Sequence, residues 1–304
     1  MAYGQVNPLL LAQTSSDYRQ MLYVTRNNYS HFVRDLIWRS VVRDWGDFEE
    51  RRPVRLEQWM IDKEPEYFKR LERAGMQFEV VRAPNNELFS WSKLLHSVCG
   101  SFFEDDTTCN PLDFRFGDAF NNITTTSTGG EKKKRLVWLS RGKNQRRAIS
   151  NEKYVYDSLK NVIPNLEYLK INSSILKQNP MVKQAEIFNN VDVLVSLHGA
   201  GLTNMLYMPK DSLVVEIMPK GYAKDTYMNF AKRLKLRYKR LTADAEGDEG
   251  AKAGTVSWTT RTKYAFDSKK DKERKFKRDV IIKLHDDDID SLKDMLTPEV
   301  SEKK

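Results

Sequence analysis

The residues best able to do chemistry lie at 191–219, VDVLVSLHGAGLTNMLYMPKDSLVVEIMP. An apolar run ends at Leu197, and His198, Gly199, Ala200 and Gly201 follow it. Glycines let a ligand approach the main chain closely. A helix opening over Gly201–Asn204, with Thr203 in its first turn, would aim N–H groups and the positive end of its dipole at an anion. Glu216, near the carboxyl end of the next apolar run, is placed to accept hydrogen bonds from ribose hydroxyls. These residues predict a nucleoside diphosphate site; the alternative is a tight strand–helix turn with a packed histidine.

Two other groups could join it. Arg141 and Arg147 follow the apolar run at 136–140, where planar guanidinium groups can grip a diphosphate bidentately. Their alternative is a surface basic cluster beside the EKKKR at 131–135. His31 is the candidate general base, and Asp35, four residues on along one helical face, orients the imidazole or is the base itself. The alternative there is a histidine that caps or packs a helix start.

The elements that must position these groups are clearest in the second half. Short apolar runs at 136–140, 166–171, 191–197, 213–217 and 236–241 predict strands. Helical spacing fills 151–162, 181–190 and 226–234, with a short helix before Met208. Alternation with short links is the pattern of a doubly wound parallel sheet. The first half is less regular: strands are predicted at 21–25 and 78–82 and helices at 29–42 and 65–74. The small, polar stretch NNITTTSTGG places a boundary between an N-terminal domain, 1–128, and a C-terminal domain, 129–304. A last helix near 286–297 is expected to pack back on the N-terminal domain. Residues 243–254 read as a mobile loop.

The chain has 304 residues, 51 Lys+Arg against 42 Asp+Glu, and a formal net charge of +9. That balance favours an anionic partner. A non-enzymatic nucleotide- or nucleic-acid-binding protein is the competing function, although no zinc finger or RNP-like aromatic motif is present. No GxGxxG follows a first strand, which excludes a dehydrogenase of the usual pattern. Two cysteines, Cys99 and Cys109, cannot build a disulfide scaffold or a four-cysteine zinc site. No secretory leader or apolar membrane span is legible, so the expectation is a soluble, cytoplasmic protein. The basic run 269–278 reads as a solvated face or as a peripheral contact with an acidic membrane.

LHGAGLTN at 197–204, followed by Met208-Pro209 and VVEI at 214–217, resembles the signature of glycosyltransferase family 61. Ser140-Arg141 with Arg146-Arg147, Ile149 and Asn151-Glu152 is similar to that family's arginine segment. Asn28-Tyr29-Ser30-His31 with Asp35 resembles its N-terminal segment. The resemblance implies a GT-B-like fold, two Rossmann-like domains facing a cleft, with the donor in the C-terminal one. It implies inverting transfer of xylose, or secondly GlcNAc, from a UDP-sugar to a hydroxyl of a glycan or glycoprotein. Without the family's usual anchor, a viral or bacterial-like form is expected rather than a Golgi enzyme. Enzymes of the GT-B type neutralise the departing diphosphate with helix dipoles and basic side chains. No metal or other cofactor is therefore expected, and the acidic triplets Glu104-Asp105-Asp106 and Asp286-Asp287-Asp288 read as solvated turns or helix starts.

Overall fold

The computed structural model describes residues 54–81, 116–120, 133–141, 147–163, 166–176, 178–222, 224–246 and 279–298. His31, Asp35, the triplet at 104–106 and the basic run 269–278 lie outside the described residues, as do the elements expected at 21–25 and 29–42. In chain order the strands are β1 (Val54–Glu57), β2 (Phe78–Val81), β3 (Arg135–Ser140), β4 (Ala148–Ile149), β5 (Glu167–Asn172), β6 (Val193–Leu197), β7 (Leu213–Pro219), β8 (Arg237–Ala243) and β9 (Ile281–Ile282). The α-helices are α1 (Gln58–Lys63), α2 (Pro65–Arg73), α3 (Glu152–Val162), α4 (Ser173–Leu176), α5 (Met181–Phe188), α6 (Thr226–Arg233) and α7 (Asp286–Leu296). Two 3₁₀ helices cover Phe116–Phe120 and Ala200–Tyr207.

The chain divides into two compact units, Met1–Asn122 with Asn179–Asn189, and Ile123–Gln178 with Asn190–Lys304. In the first, β1 and β2 pair in parallel, Val54 with Phe78 through Glu57 with Val81. Pro65 opens α2, where a missing N–H costs nothing. Tyr67, Phe68 and Leu71 line its buried face. Tyr67 stacks on Phe120 at 5.0 Å between ring centroids. Helix α5 joins this unit although it lies between β5 and β6 in sequence. Glu64 accepts from the amide of Met181 at 3.0 Å, Arg70 pairs with Glu186 at 2.8 Å, and the Asn189 amide donates to the carbonyl of Phe120.

The second unit is built on a five-stranded parallel sheet in the order β5-β3-β6-β7-β8. The central strands are apolar along their length, and β6 and β7 are buried at every position. Both faces of such strands must be covered. The edge strands carry the polar residues instead: EYLKIN in β5 and RYKRLTA in β8. The two-residue period sends Leu136, Trp138, Val193, Val195, Val215, Ile217 and Leu241 to one face. There they pack with Val155 and Leu159 of α3 and with Ile289, Leu292 and Leu296 of α7. The last helix thus contributes its buried side chains to this unit's core. The opposite face carries Ser196 beside Glu216 and Glu216 beside Arg240, and α6 packs over it at β8.

The strands and helices expected at 136–140, 151–162, 166–171, 213–217 and 226–234 fall within a residue or two of those observed. The segment after Gly199 differs in kind. It is a 3₁₀ helix of eight residues, longer than such helices usually run. Leu202 to Tyr207 are all buried, and that packing supports the poorer hydrogen-bond geometry.

Candidate functional site

After β3 the chain passes to one side, to β5, and afterwards to the other, to β6, β7 and β8. The neighbours β3 and β6 therefore flank the point where the winding reverses. In open α/β sheets the crevice beyond the carboxyl ends of two such strands is where ligands bind. Arg141 is the first residue after β3, and His198 is the first after β6.

The backbone carbonyl of His198 accepts hydrogen bonds from Nη1 of Arg141 at 3.2 Å and Nη1 of Arg147 at 2.9 Å. One main-chain oxygen thus draws two guanidinium groups together against their mutual repulsion. Arg147 is held a second time, Nε lying 3.3 Å from Oδ1 of Asp279. Gly199 makes room for this: a Cβ there would lie 2.0 Å from Nη1 of Arg141 and 3.4 Å from Nη1 of Arg147. Its backbone is extended, φ 162°, which any residue adopts. Glycine is required there for space. At Gly201 a Cβ would lie 2.5 Å from Cδ2 of Leu139, so this glycine seats the helix start on β3.

The first bond of the 3₁₀ helix runs from the amide of Leu202 to the carbonyl of Gly199, 3.0 Å. The amides of Ala200 and Gly201 precede it, at the end of the helix whose N–H groups have no intrahelical acceptor. Side chains further along turn inward. Asn204 donates to the carbonyl of Gly201 at 3.1 Å, and Thr203 is hydrogen-bonded to Tyr227. Both are buried.

The side chain of His198 belongs to a separate network beneath the arginines. It is 7 % exposed. Nδ1 lies 2.5 Å from Oε1 of Glu216, and Nε2 lies 3.2 Å from the hydroxyl of Tyr222. A carboxylate only accepts, so Nδ1 carries a proton and donates to Glu216; in the neutral ring Nε2 then accepts from the Tyr222 hydroxyl. The rings of Tyr222 and Tyr227 meet the imidazole edge to face at 5.0 and 5.3 Å. The other oxygen of Glu216 accepts from Tyr238, whose hydroxyl accepts from Nε of Arg240 at 3.1 Å. Burial, and then the charge of Glu216, push the phenols of Tyr227 and Tyr238 well above their ordinary range. Both stay neutral at any physiological pH.

The reading of Glu216 as a ribose acceptor is corrected by this geometry. Its side chain is 0 % exposed and both oxygens are engaged by His198 and Tyr238. Register explains why: Glu216 sits opposite Ser196 on the sheet, facing inward under the turn rather than along its rim. Its role is to orient His198.

Of the other residues singled out in the sequence, the fold brings Arg141, Arg147, His198, Gly199, Ala200 and Gly201 into one neighbourhood. Thr203 and Asn204 stabilise the helix behind it. His31 and Asp35 fall outside the described residues. Sequence reasoning gave no part to Tyr222, Tyr227, Tyr238 or Asp279, and no local motif marks them. It quoted Glu152 without a role. Glu152 accepts from Trp138 Nε1 at 2.9 Å, Ser140 Oγ at 2.8 Å and Lys170 Nζ at 3.0 Å, which anchors β3 next to Arg141.

Asp286, Asp287 and Asp288 form the first turn of α7. Oδ2 of Asp288 accepts from the amide of His285 at 2.9 Å, one half of a capping box. Among the described residues, no group of three or more His, Cys, Asp or Glu side chains gathers at metal-binding distance. Among them, too, no helix is long and apolar enough to cross a membrane.

Fold and site together define an α/β protein whose parallel sheet gathers two arginines and a helix start at its switch point. The profile of glycosyltransferase 61 matches residues 29–215, and the chain belongs to that family. It is 41 % identical over 58 residues to the beta-1,2-xylosyltransferase XAX1 of Oryza sativa subsp. japonica, covering 18 % of this chain and 10 % of that one. It is 36 % identical over 61 residues to the alpha-1,3-arabinosyltransferase XAT2 of the same plant, 19 % of this chain and 10 % of the relative. With the beta-1,2-xylosyltransferase XYXT1 the figures are 32 % over 66 residues, 20 % of this chain and 14 % of the relative. The matches thus span only about a tenth to a seventh of these curated relatives.

Proposed function

We propose that this chain transfers a sugar from a UDP-sugar to a hydroxyl of a glycan or glycoprotein, with inversion, in a GT-B-like fold and without a metal ion. Xylose is the first choice of sugar and GlcNAc the second; the xylosyl and arabinosyl relatives favour a pentose. The observation that carries the reading is the pair Arg141 and Arg147 on the carbonyl of His198, at the start of a helix and at the switch point of a parallel sheet. As the bond from the sugar C1 to the diphosphate breaks, negative charge grows on the phosphate oxygens. Two guanidinium groups and the amides of Ala200 and Gly201 stabilise it without reorganising. The acceptor oxygen bonds to C1 from the opposite face, and its proton passes to the base, His31 or Asp35.

The test is thermal unfolding with UDP in EDTA-containing buffer, followed by a panel of UDP-sugars scored for donor hydrolysis. A ligand at about 100 times its Kd stabilises the folded state by about 2.7 kcal/mol. A raised Tm with UDP, and hydrolysis of UDP-xylose ahead of UDP-GlcNAc, is the expected result. If UDP, GDP and CMP all leave Tm unchanged, the donor reading fails. If chelation removes the UDP effect, the metal-independent part fails alone.

A further inference from the structure

A side chain from far along the chain also reaches Arg147. Strand β4, which follows Arg147 directly, pairs in parallel with β9: Ala148 with Ile281 and Ile149 with Ile282. The pairing continues past the strands. The amide of Ser150 donates to the carbonyl of Ile282 at 2.9 Å. Asn151 closes it from both directions, Nδ2 donating to Leu284 O at 2.8 Å and Oδ1 accepting from Leu284 N at 3.2 Å. Ile282 and Leu284 are buried in the core of the unit, so this ladder is anchored. At its upstream end it brings Asp279 beside Arg147.

We infer that Asp279 is a positioning residue for the donor diphosphate, acting through Arg147 and delivered to it by the β4–β9 ladder. The inference rests on the reading of Arg147 as a phosphate contact and names what that contact needs. An arginine held only at one Nη atom can still swing about that point. Arg147 is held at Nη1 by the carbonyl of His198 and at Nε by Asp279, and two contacts set the plane of the guanidinium. The side chains are 18 % and 11 % exposed, so water competes little for the pair. Fixing the plane in advance removes an ordering cost that binding would otherwise carry. Residue 279 lies beyond the stretch matched by the family profile, 29–215.

The sign of the effect separates positioning from simple charge. Asp279 is an anion near a proposed anion site, so electrostatics alone predicts that its loss strengthens UDP binding. Positioning predicts the reverse. Immobilising one flexible side chain corresponds to about a 2- to 12-fold change in affinity. In calorimetric titrations of the full chain, Asp279→Ala and Asp279→Asn should each weaken UDP by about that factor and leave uridine unchanged. Asp279→Glu should recover part of the loss. In an Arg147→Ala background, Asp279→Ala should add nothing. UDP bound as tightly as, or more tightly than, by the wild type in both variants, at unchanged Tm, overturns the inference. So does a further loss in the Arg147→Ala background. If the wild type itself fails to bind UDP, the donor reading falls. The positioning is then read without ligand, from the Arg147 Nε–H resonance. It should be protected from exchange in the wild type and lose that protection in Asp279→Ala. An unprotected wild-type signal overturns the inference independently.

Discussion

Adding one methyl group at Gly199 and one at Gly201 should damage the protein in two different ways. At Gly199 the new Cβ would meet Nη1 of Arg141 at 2.0 Å and its Cζ at 3.2 Å, the far end of a flexible side chain. The backbone there is extended and tolerates alanine. Arg141 must therefore move, and its bond to the carbonyl of His198 is lost, while the fold stands. If Arg141 grips a phosphate, its displacement forfeits a charge-assisted hydrogen bond of about 1.5–3 kcal/mol. That converts to roughly a 10- to 150-fold weaker Kd for UDP. At Gly201 the new Cβ would meet Leu139 at 2.5 Å (Cδ2) and 3.5 Å (Cγ), a side chain buried in the core. Overpacking of this kind costs about 1–3 kcal/mol of stability. Calorimetric UDP titration and urea unfolding of Gly199→Ala and Gly201→Ala, run in parallel, read the two effects. Gly199→Ala should lose affinity at nearly wild-type stability, and Gly201→Ala should lose stability first. A Gly199→Ala protein that binds UDP with wild-type affinity would refute the assignment of Arg141.

The buried carboxylate of Glu216 gives a second contrast: Glu216→Ala takes the acceptor from Nδ1–H of His198 and from the Tyr238 hydroxyl and should cost about 1–3 kcal/mol for each. Glu216→Gln keeps the shape, and its amide can donate to Nδ1 if the imidazole changes tautomer, so the loss should fall to about 1 kcal/mol. Hydrogen exchange at the amides of β7 reports this unit specifically, and equal losses in the two variants would remove the charge from the explanation. Alkaline stability tests Tyr168, whose hydroxyl donates to the carbonyls of Leu159 and Ile163, each at 3.1 Å. Burial pushes its phenol from an ordinary value of 10.0 up to about 12. A group with a raised folded pKa contributes its stability below the unfolded value and loses it as pH rises through the folded one. The loss should therefore run from pH 10.0 to about 12 and be smaller in Tyr168→Phe; parallel urea midpoints across that range for both proteins would discount it.

Some of this was legible in one dimension because it is local. A strand buried on both faces, such as VLVSL or LVVEIMP, must be apolar throughout, and a run of that kind identifies itself. Pro180 before α5 and Pro65 at the start of α2 mark helix starts by their missing N–H. The cluster of His198, Gly199, Ala200 and Gly201 announced a close approach of backbone to something, and the structure shows two arginines doing so. The kind of helix that follows was not legible, since α and 3₁₀ turns share nearly the same apolar spacing over two turns. The partner of Glu216 was not legible either. An acidic residue in an otherwise apolar strand says that a buried charge needs compensation, but which group supplies it depends on the face and the register.

By itself, then, the sequence determined the parallel α/β character of the second unit, the turn after β6 and the arginine segment after β3, because periodicity and small residues act over a few positions. Only the tertiary structure decided that β3 and β6 are neighbours at the reversal of winding, and that Arg141 and Arg147 converge on one carbonyl. It also decided that Glu216 turns inward to His198 and that Asp279 reaches Arg147 across 132 residues of chain, counted as 279 minus 147. Hydrogen bonds and ion pairs act over about 3 Å of space. Separation along the chain carries no trace of them until the sheet has set its strand order and register.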